Sequence, residues 1–265
     1  MHFKEFLPPI VAKSLASIRP AKYGWFGDYG SWEDAAAHTS GYDAEAIAQK
    51  VLDAALKVKQ GKAAYERDSV TFDRPEYPWP ILSGILWAAA KQSAGMTVMD
   101  FGGSLGSTYF TLRAFLQELT IRWHVVEQPR FVELGRVHFQ DERLKFFLTP
   151  ESCVAEGAVD VILLSSVLPY LREPYATLGE LVKLRAPFLI VDKMPFLVEG
   201  DKDRLTIQRV DPAIYPASYP AWFFNEARFR DFMSKNFETV AEFPNEDRAN
   251  LPSVFKGFLF KRKTN

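Results

Sequence analysis

Val98-Met99-Asp100-Phe101-Gly102-Gly103-Ser104-Leu105-Gly106-Ser107 is the stretch on which the reading of this chain turns. An apolar run ends in a carboxylate and then in a glycine-rich turn. An apolar-periodic segment follows, from Tyr109 to Leu119. That order predicts strand, tight loop and helix. Glycines at such a turn permit positive φ and let a ligand approach the backbone closely. The helix start offers unpaired N–H groups and the positive end of a dipole to a polar or anionic group. A nucleotide-like ligand is one expectation; a tight turn whose glycines serve geometry alone is the other.

Working outward, His124-Val125-Val126-Glu127 closes the next apolar run about twenty residues on. A carboxylate there is placed to accept hydrogen bonds from both ribose hydroxyls of an adenosine-containing ligand. A solvated glutamate at a strand end is the bland reading, and the separation from the glycine loop favours the first.

From residue 96 the pattern alternates strand and helix, the signature of an α/β domain with a largely parallel sheet. Strands are expected at 97–101, 122–126, 144–148, 159–164 and 188–191, with helices at 107–119, 131–139 and 175–184. An irregular stretch to about Phe224 precedes a helix over 225–235 and two late strands, 239–243 and 254–260, joined by a loop over 245–252. Five βα units closed by such a strand pair predict a Rossmann-like, seven-stranded, mostly parallel sheet with helices on both faces and an antiparallel last strand. That arrangement resembles class I S-adenosylmethionine (SAM)-dependent methyltransferases.

Asp100 to Gly106 resembles the first motif of those enzymes, an acidic residue followed by alternating glycines, with Ser104 in place of the middle one. The resemblance implies SAM as cofactor and S-adenosylhomocysteine as product. It implies Asp100, Gly102, Gly103, Ser104, Gly106 and Glu127 as cofactor-binding residues. Ser165 and Ser166, after the fourth strand of the sheet, orient cofactor or substrate, or else cap a helix entry. Thr149, Glu151 and Ser152 stand where this fold flanks the adenine, and loop solvation explains them as well.

The acceptor belongs outside the carboxyl ends of the strands. The fifth strand is expected to end at Val191-Asp192-Lys193, and Asp192 is the candidate general base on an acceptor hydroxyl. A salt bridge to Lys193 or Arg204 is its structural alternative. The insertion 197–224 is where this fold builds acceptor pockets. Within it Gln208, Tyr215, Tyr219 and Trp222 are suited to a polyol, by hydrogen bonding and by stacking on an apolar sugar face. Loop packing accounts for them equally.

Composition bounds the alternatives. The chain has 265 residues, 48% hydrophobic and 25% charged, with a formal net charge of −1. That is an ordinary globular composition, and it supplies no charge argument for a nucleic-acid partner. The Lys-rich tail from Lys256 to Lys263 reads as solvated strand ends. A single cysteine, Cys153, makes no internal disulfide and no zinc framework; it reads as a small buried residue in a reducing cytoplasm. No stretch approaches the ~20 apolar residues of a membrane span. Lys4 and Lys13 flank an apolar run broken by Glu5 and Pro8-Pro9, which makes a poor signal peptide. No His pair or carboxylate cluster has ligand spacing, so metal-independent chemistry is expected. His124 and His138 read as structural; His38 lies in the aromatic N-terminal region.

Residues 1–95 read as a helical and aromatic extension packed on the methyltransferase domain of 96–265. Residues 20–42 carry Tyr23, Trp25, Phe26, Tyr29, Trp32 and Tyr42 among glycines and are expected to be irregular. Asp43–Lys59 reads as a helix with Asp43 as N-cap and Gly61 as its stop, and 81–90 as a packed helix. Tyr65-Glu66-Arg67-Asp68-Ser69 is a dense polar cluster. Together with the aromatic layer it is a candidate lid, unless Arg67 and Asp68 form a structural ion pair.

Trp25-Phe26-Gly27-Asp28-Tyr29-Gly30-Ser31-Trp32-Glu33, Gly41-Tyr42-Asp43, Tyr65 to Ser69, the glycine loop, Val126 to Pro129 and 205–222 together resemble a more specific group. This is a family of bacterial methyltransferase-like proteins often encoded among surface-polysaccharide genes. The resemblance spans most of the chain and implies a saccharide or related hydroxylated acceptor. The expectation is therefore a cytoplasmic enzyme that methylates a small hydroxylated or sugar-like acceptor, most simply on oxygen. A nicotinamide-dependent oxidoreductase is one competitor, disfavoured by the late strand pair. A methyltransferase-like binding protein without catalysis is the other.

Overall fold

Continuous Val, Ile, Leu and Phe runs suit strands buried on both faces, and this chain uses them for the middle of one sheet. The computed structural model describes residues 22–40, 44–67, 69–92 and 95–264. The readings placed on 1–21, on Gly41, Tyr42 and Asp43, and on Asp68 lie outside the described residues.

The described chain opens with strand β1 (Gly24–Tyr29), helix α1 (Trp32–Ala37) and helix α2 (Ala44–Lys59). A hairpin of β2 (Tyr65–Arg67) and β3 (Val70–Phe72) follows, then helix α3 (Trp79–Ala89). The alternating part is β4 (Met96–Phe101), α4 (Ser107–Leu116), β5 (Ile121–Val126), α5 (Pro129–His138), β6 (Leu144–Phe147), α6 (Pro150–Val154) and β7 (Val161–Ser165). A 3₁₀ turn (Leu168–Tyr170), α7 (Pro174–Lys183) and β8 (Phe188–Leu197) come next. Then come β9 (Arg204–Arg209), β10 (Ser218–Phe223), α8 (Glu226–Ser234), β11 (Phe237–Asn245) and β12 (Ser253–Arg262).

Seven strands form the main sheet in the order β11-β12-β8-β7-β4-β5-β6. The pairs among β4 to β8 are parallel, and β12 runs antiparallel to both β8 and β11. Alternation along each strand divides the core between the two faces. Val98, Trp123, Val125, Phe146, Leu163 and Ile190 pack with α2 to α5. Met99, Val126, Ile162, Leu164, Leu189 and Val191 pack with α6, α7 and α8. No described helix is long and apolar enough to cross a membrane.

Expectations at three places, 24–29, the stretch up to Phe224 and the end of β8, need correction. Residues 24–29 are a strand, and the stretch read as irregular up to Phe224 contains β9 and β10. These three form a second, antiparallel sheet in the order β1-β9-β10, so the N-terminal segment pairs with the insertion. The strand expected to stop at Asp192-Lys193 runs on to Leu197, because a bulge absorbs Lys193 at φ 56° while β12 continues the pairing.

Candidate functional site

The carboxyl ends of β4, β5, β7 and the middle of β8 lie side by side along one edge of the sheet, and the backbone stitches them together. Gly102 N–H donates to the Val126 carbonyl at 2.9 Å, Glu127 N–H to Phe147 at 3.1 Å and Ser166 N–H to Asp192 at 3.1 Å. The edge therefore runs Glu127, glycine loop, Ser165-Ser166, Asp192.

The glycine loop has the backbone that its composition asks for. Gly102 sits at φ 75°, Ser104 at 54° and Gly106 at 87°, the left-handed region that costs an L residue roughly 1–2 kcal/mol. Ser104 thus holds a conformation suited to glycine. Two contacts require the loop to be bare. A Cβ on Gly102 would stand 2.4 Å from Val167, and one on Gly103 2.5 Å from the carboxyl carbon of Asp100. Gly106 is the N-cap of α4 with no side-chain cap, which leaves first-turn N–H groups facing the loop. The Ser107 hydroxyl donates to the Glu66 carboxylate, bringing the β2–β3 hairpin against this helix start.

Asp100 is 1% exposed. Burial pushes its carboxyl up to about 7; the Trp123 indole N–H donates to Oδ2 at 3.0 Å and opposes the rise, and the Glu127 charge adds to it. Burial raises Glu127 as well, against the Gln128 N–H that its carboxylate accepts. The Glu127 charge thus reaches Asp100 beneath the loop, and Glu127 is the carboxylate of the two placed to meet a ligand with hydroxyl donors.

Asp192 is buried inside β8, level with Ser165. Ser165 Oγ stands 3.5 Å from its Oδ2 and Asn245 Nδ2 3.5 Å from its Oδ1. Burial raises this carboxyl, Lys193 and Asn245 lower it, and Asp247 raises it. Ser166 takes φ 58°, so the turn after β7 carries a second strained serine.

The β1-β9-β10 sheet meets the 3₁₀ turn that follows β7 through Tyr219 and Tyr170. Gln208 lies on the central strand opposite both Trp25 and Tyr219. Tyr219 meets the Tyr170 ring edge-on at 5.4 Å and the Tyr215 hydroxyl at 3.3 Å. Gln208 Oε1 is buried with no hydrogen-bond partner, an unusual state for a side-chain carbonyl. Gln208, Tyr215 and Tyr219 are thus brought together near the turn that follows Ser166. Trp222 is not with them. Three residues past Tyr219 it points to the opposite sheet face, against Leu205, Ile207 and Ala35, with its indole N–H on the Leu171 carbonyl at 3.1 Å.

Other expected residues find structural partners. Thr149 and Ser152 form a capping box that starts α6, and Glu151 is exposed. His124 is buried at 3.5 Å from Cys153 Sγ and is held down to about 4 by burial and by Lys145 and Arg122. His38 caps α1 through the Asp34 carbonyl. Two surface hollows, of about 280 Å³ beside Lys50 and Ile214 and about 390 Å³ beside Tyr109 and Arg143, lie away from this edge. Among the described residues there is no cluster of His, Cys, Asp and Glu able to hold a metal.

Sequence reading missed Trp123, Asn245, Asp247 and Asn250. Asn250 accepts the Trp25 N–H at 2.7 Å and donates to the Trp25 carbonyl at 2.8 Å, clipping β1 to the β11–β12 loop. Contacts 225 residues apart leave no local signal.

No family model and no curated protein matches the chain. Among solved structures it is similar to the N-terminal domain of EvdMO1, crystallised in the presence of SAH and D-fucose. The TM-score is 0.50 at 12% identity over 84% of this chain and 98% of that one. The methyltransferase CcbJ from Streptomyces caelestis gives 0.48 at 14% identity over 76% and 94%. The N-methyltransferase NodS from Bradyrhizobium japonicum gives 0.44 at 13% over 78% and 97%. The chain shares the Rossmann-like fold of the EvdMO1 domain.

Proposed function

We propose that this chain is a SAM-dependent methyltransferase that methylates a hydroxyl of a small, sugar-like acceptor. One observation carries the reading: a left-handed glycine loop, with a bare approach at Gly102 and Gly103, lies between Glu127 on one side and Ser165-Ser166 and Asp192 on the other. The likeness to a domain crystallised with SAH and D-fucose supports both the cofactor and the acceptor class.

The residues fit the cofactor. Gly102, Gly103, Ser104 and Gly106 leave room for a ligand against the backbone, and the uncapped start of α4 offers N–H groups. The Glu127 carboxylate offers acceptors for the ribose hydroxyls, and Asp100, buried beneath Gly103, would hold the loop in shape for the cofactor. Ser165 and Ser166 flank the same loop through Val167. When bound, SAM would supply an electrophilic methyl group on a sulfonium. The protein's part is to align the acceptor oxygen with it and to keep water out.

Asp192 would take the acceptor's proton. Its burial raises its affinity for a proton, as a general base needs. Gln208, Tyr215 and Tyr219 would hold the acceptor; Trp222 contributes by fixing β10 on the Leu171 carbonyl. Calorimetric titration with SAM and with SAH tests the reading. Saturable binding of both is expected, and no heat at millimolar ligand would overturn it.

A further inference from the structure

Asn245, the last residue of β11, reaches the carboxylate proposed as the base. We propose that Asn245 is a positioning residue for Asp192, holding its carboxylate in one orientation together with Ser165. This rests on the reading of Asp192 given above.

The orientation of the Asn245 amide follows from its neighbours. Its Oδ1 accepts the Asp247 N–H at 2.9 Å, an Asx turn two residues long. The Nδ2 end must therefore be the one turned to Asp192 Oδ1 at 3.5 Å. The flipped amide would set oxygen against carboxylate oxygen and NH₂ against an N–H, losing both bonds. Ser165 Oγ approaches the other oxygen, also at 3.5 Å. Each carboxylate oxygen thus meets one side-chain donor, the Lys193 N–H adds a backbone one, and acceptor capacity remains for an incoming hydroxyl. Both contacts are long, as such bonds commonly are before a ligand tightens them.

The geometry is braced from both sides. The bulge at Lys193 lies directly beside Asp192, and bulges re-aim side chains next to active sites. On the other side, Arg67 of the β2–β3 hairpin stands 3.9 Å from Asp247, and Arg248 holds the carbonyls of Asn245 and Asp247. The charged groups facing Asp192 are thus Lys193 on its own strand and Asp247 from the loop, with Arg67 behind the latter.

The test is a carbon-13 titration of the Asp192 carboxyl in the full chain without cofactor, with Asp192→Asn assigning the resonance. Asn245→Ala removes the donor and raises the midpoint by roughly one pH unit, a tenfold gain in proton affinity. Asn245→Asp keeps an acceptor for the Asp247 N–H but replaces the donor by a negative charge, and raises the midpoint further. SAM affinity stays as in the unaltered chain for both. A midpoint unchanged in either folded variant would overturn the proposal. Should the alanine variant fail to fold, the aspartate variant decides. Failure of the unaltered chain to bind SAM would overturn the reading of the site instead. The two are told apart because the titration uses no SAM.

Discussion

The Trp123 indole N–H donates to Asp100 Oδ2 at 3.0 Å beneath the glycine loop, inside the sheet. The acidic residue of the motif is therefore not a surface carboxylate awaiting a ligand. It is 1% exposed, fixed by one donor and roofed by Gly103.

A stability cost follows from that burial. Asp100 is raised from 3.8 to about 7, so the folded state binds the proton more tightly than the unfolded chain. The destabilisation is absent below about pH 4, grows as pH rises, and is complete above about 7. At ~1.4 kcal/mol per pH unit it reaches up to about 4 kcal/mol. Asp100→Asn should melt above the unaltered chain at pH 8 and close to it near pH 4. Equal differences at both values would contradict the buried carboxylate.

Ser104 at φ 54° holds a conformation that costs an L residue. Ser104→Gly should leave stability unchanged or raise it by up to about 1 kcal/mol, and Ser104→Val should lower it by about 1–2 kcal/mol. Chemical denaturation measures both. A glycine variant clearly less stable than serine would mean that the hydroxyl carries a contact worth more than the strain.

Gln208 Oε1 is buried without a partner. Replacing an unsatisfied polar group by an apolar one of similar shape is near neutral or stabilising. Gln208→Met should therefore melt at or above the unaltered temperature while weakening acceptor binding. A loss of several degrees would show that the amide is part of the fold and not held open for a ligand.

Asn250 bonds both the N–H and the carbonyl of Trp25. Asn250→Ala should cost about 2 kcal/mol and speed amide exchange in β1. The rates in β4 and β5 should not change, since β1 belongs to the smaller sheet. Uniform loss of protection through the main sheet would refute a local clip.

What was legible in the sequence had a local cause. The strands of the main sheet stood out because both faces are buried, so their apolar runs are unbroken. The start of α4 stood out because glycines mark left-handed turns. The smaller sheet was harder to see. Leu205-Thr206-Ile207-Gln208 does alternate, but Gly24 and Gly27 in β1 and Pro220 in β10 read as turn residues. β8 was cut short because Asp192 and Lys193 look like a strand end, when a bulge carries the pairing through them. Trp123 toward Asp100, Asn245 toward Asp192 and Asn250 toward Trp25 join residues 23, 53 and 225 positions apart. Only the folded sheet brings them together.

The most direct test of the central claim is a crystal grown with S-adenosylhomocysteine. The account predicts nucleoside density against Gly102 to Gly106, with both ribose hydroxyls on the Glu127 carboxylate and the sulfur directed toward Asp192. Density elsewhere on the chain, or none at saturating ligand, would contradict it.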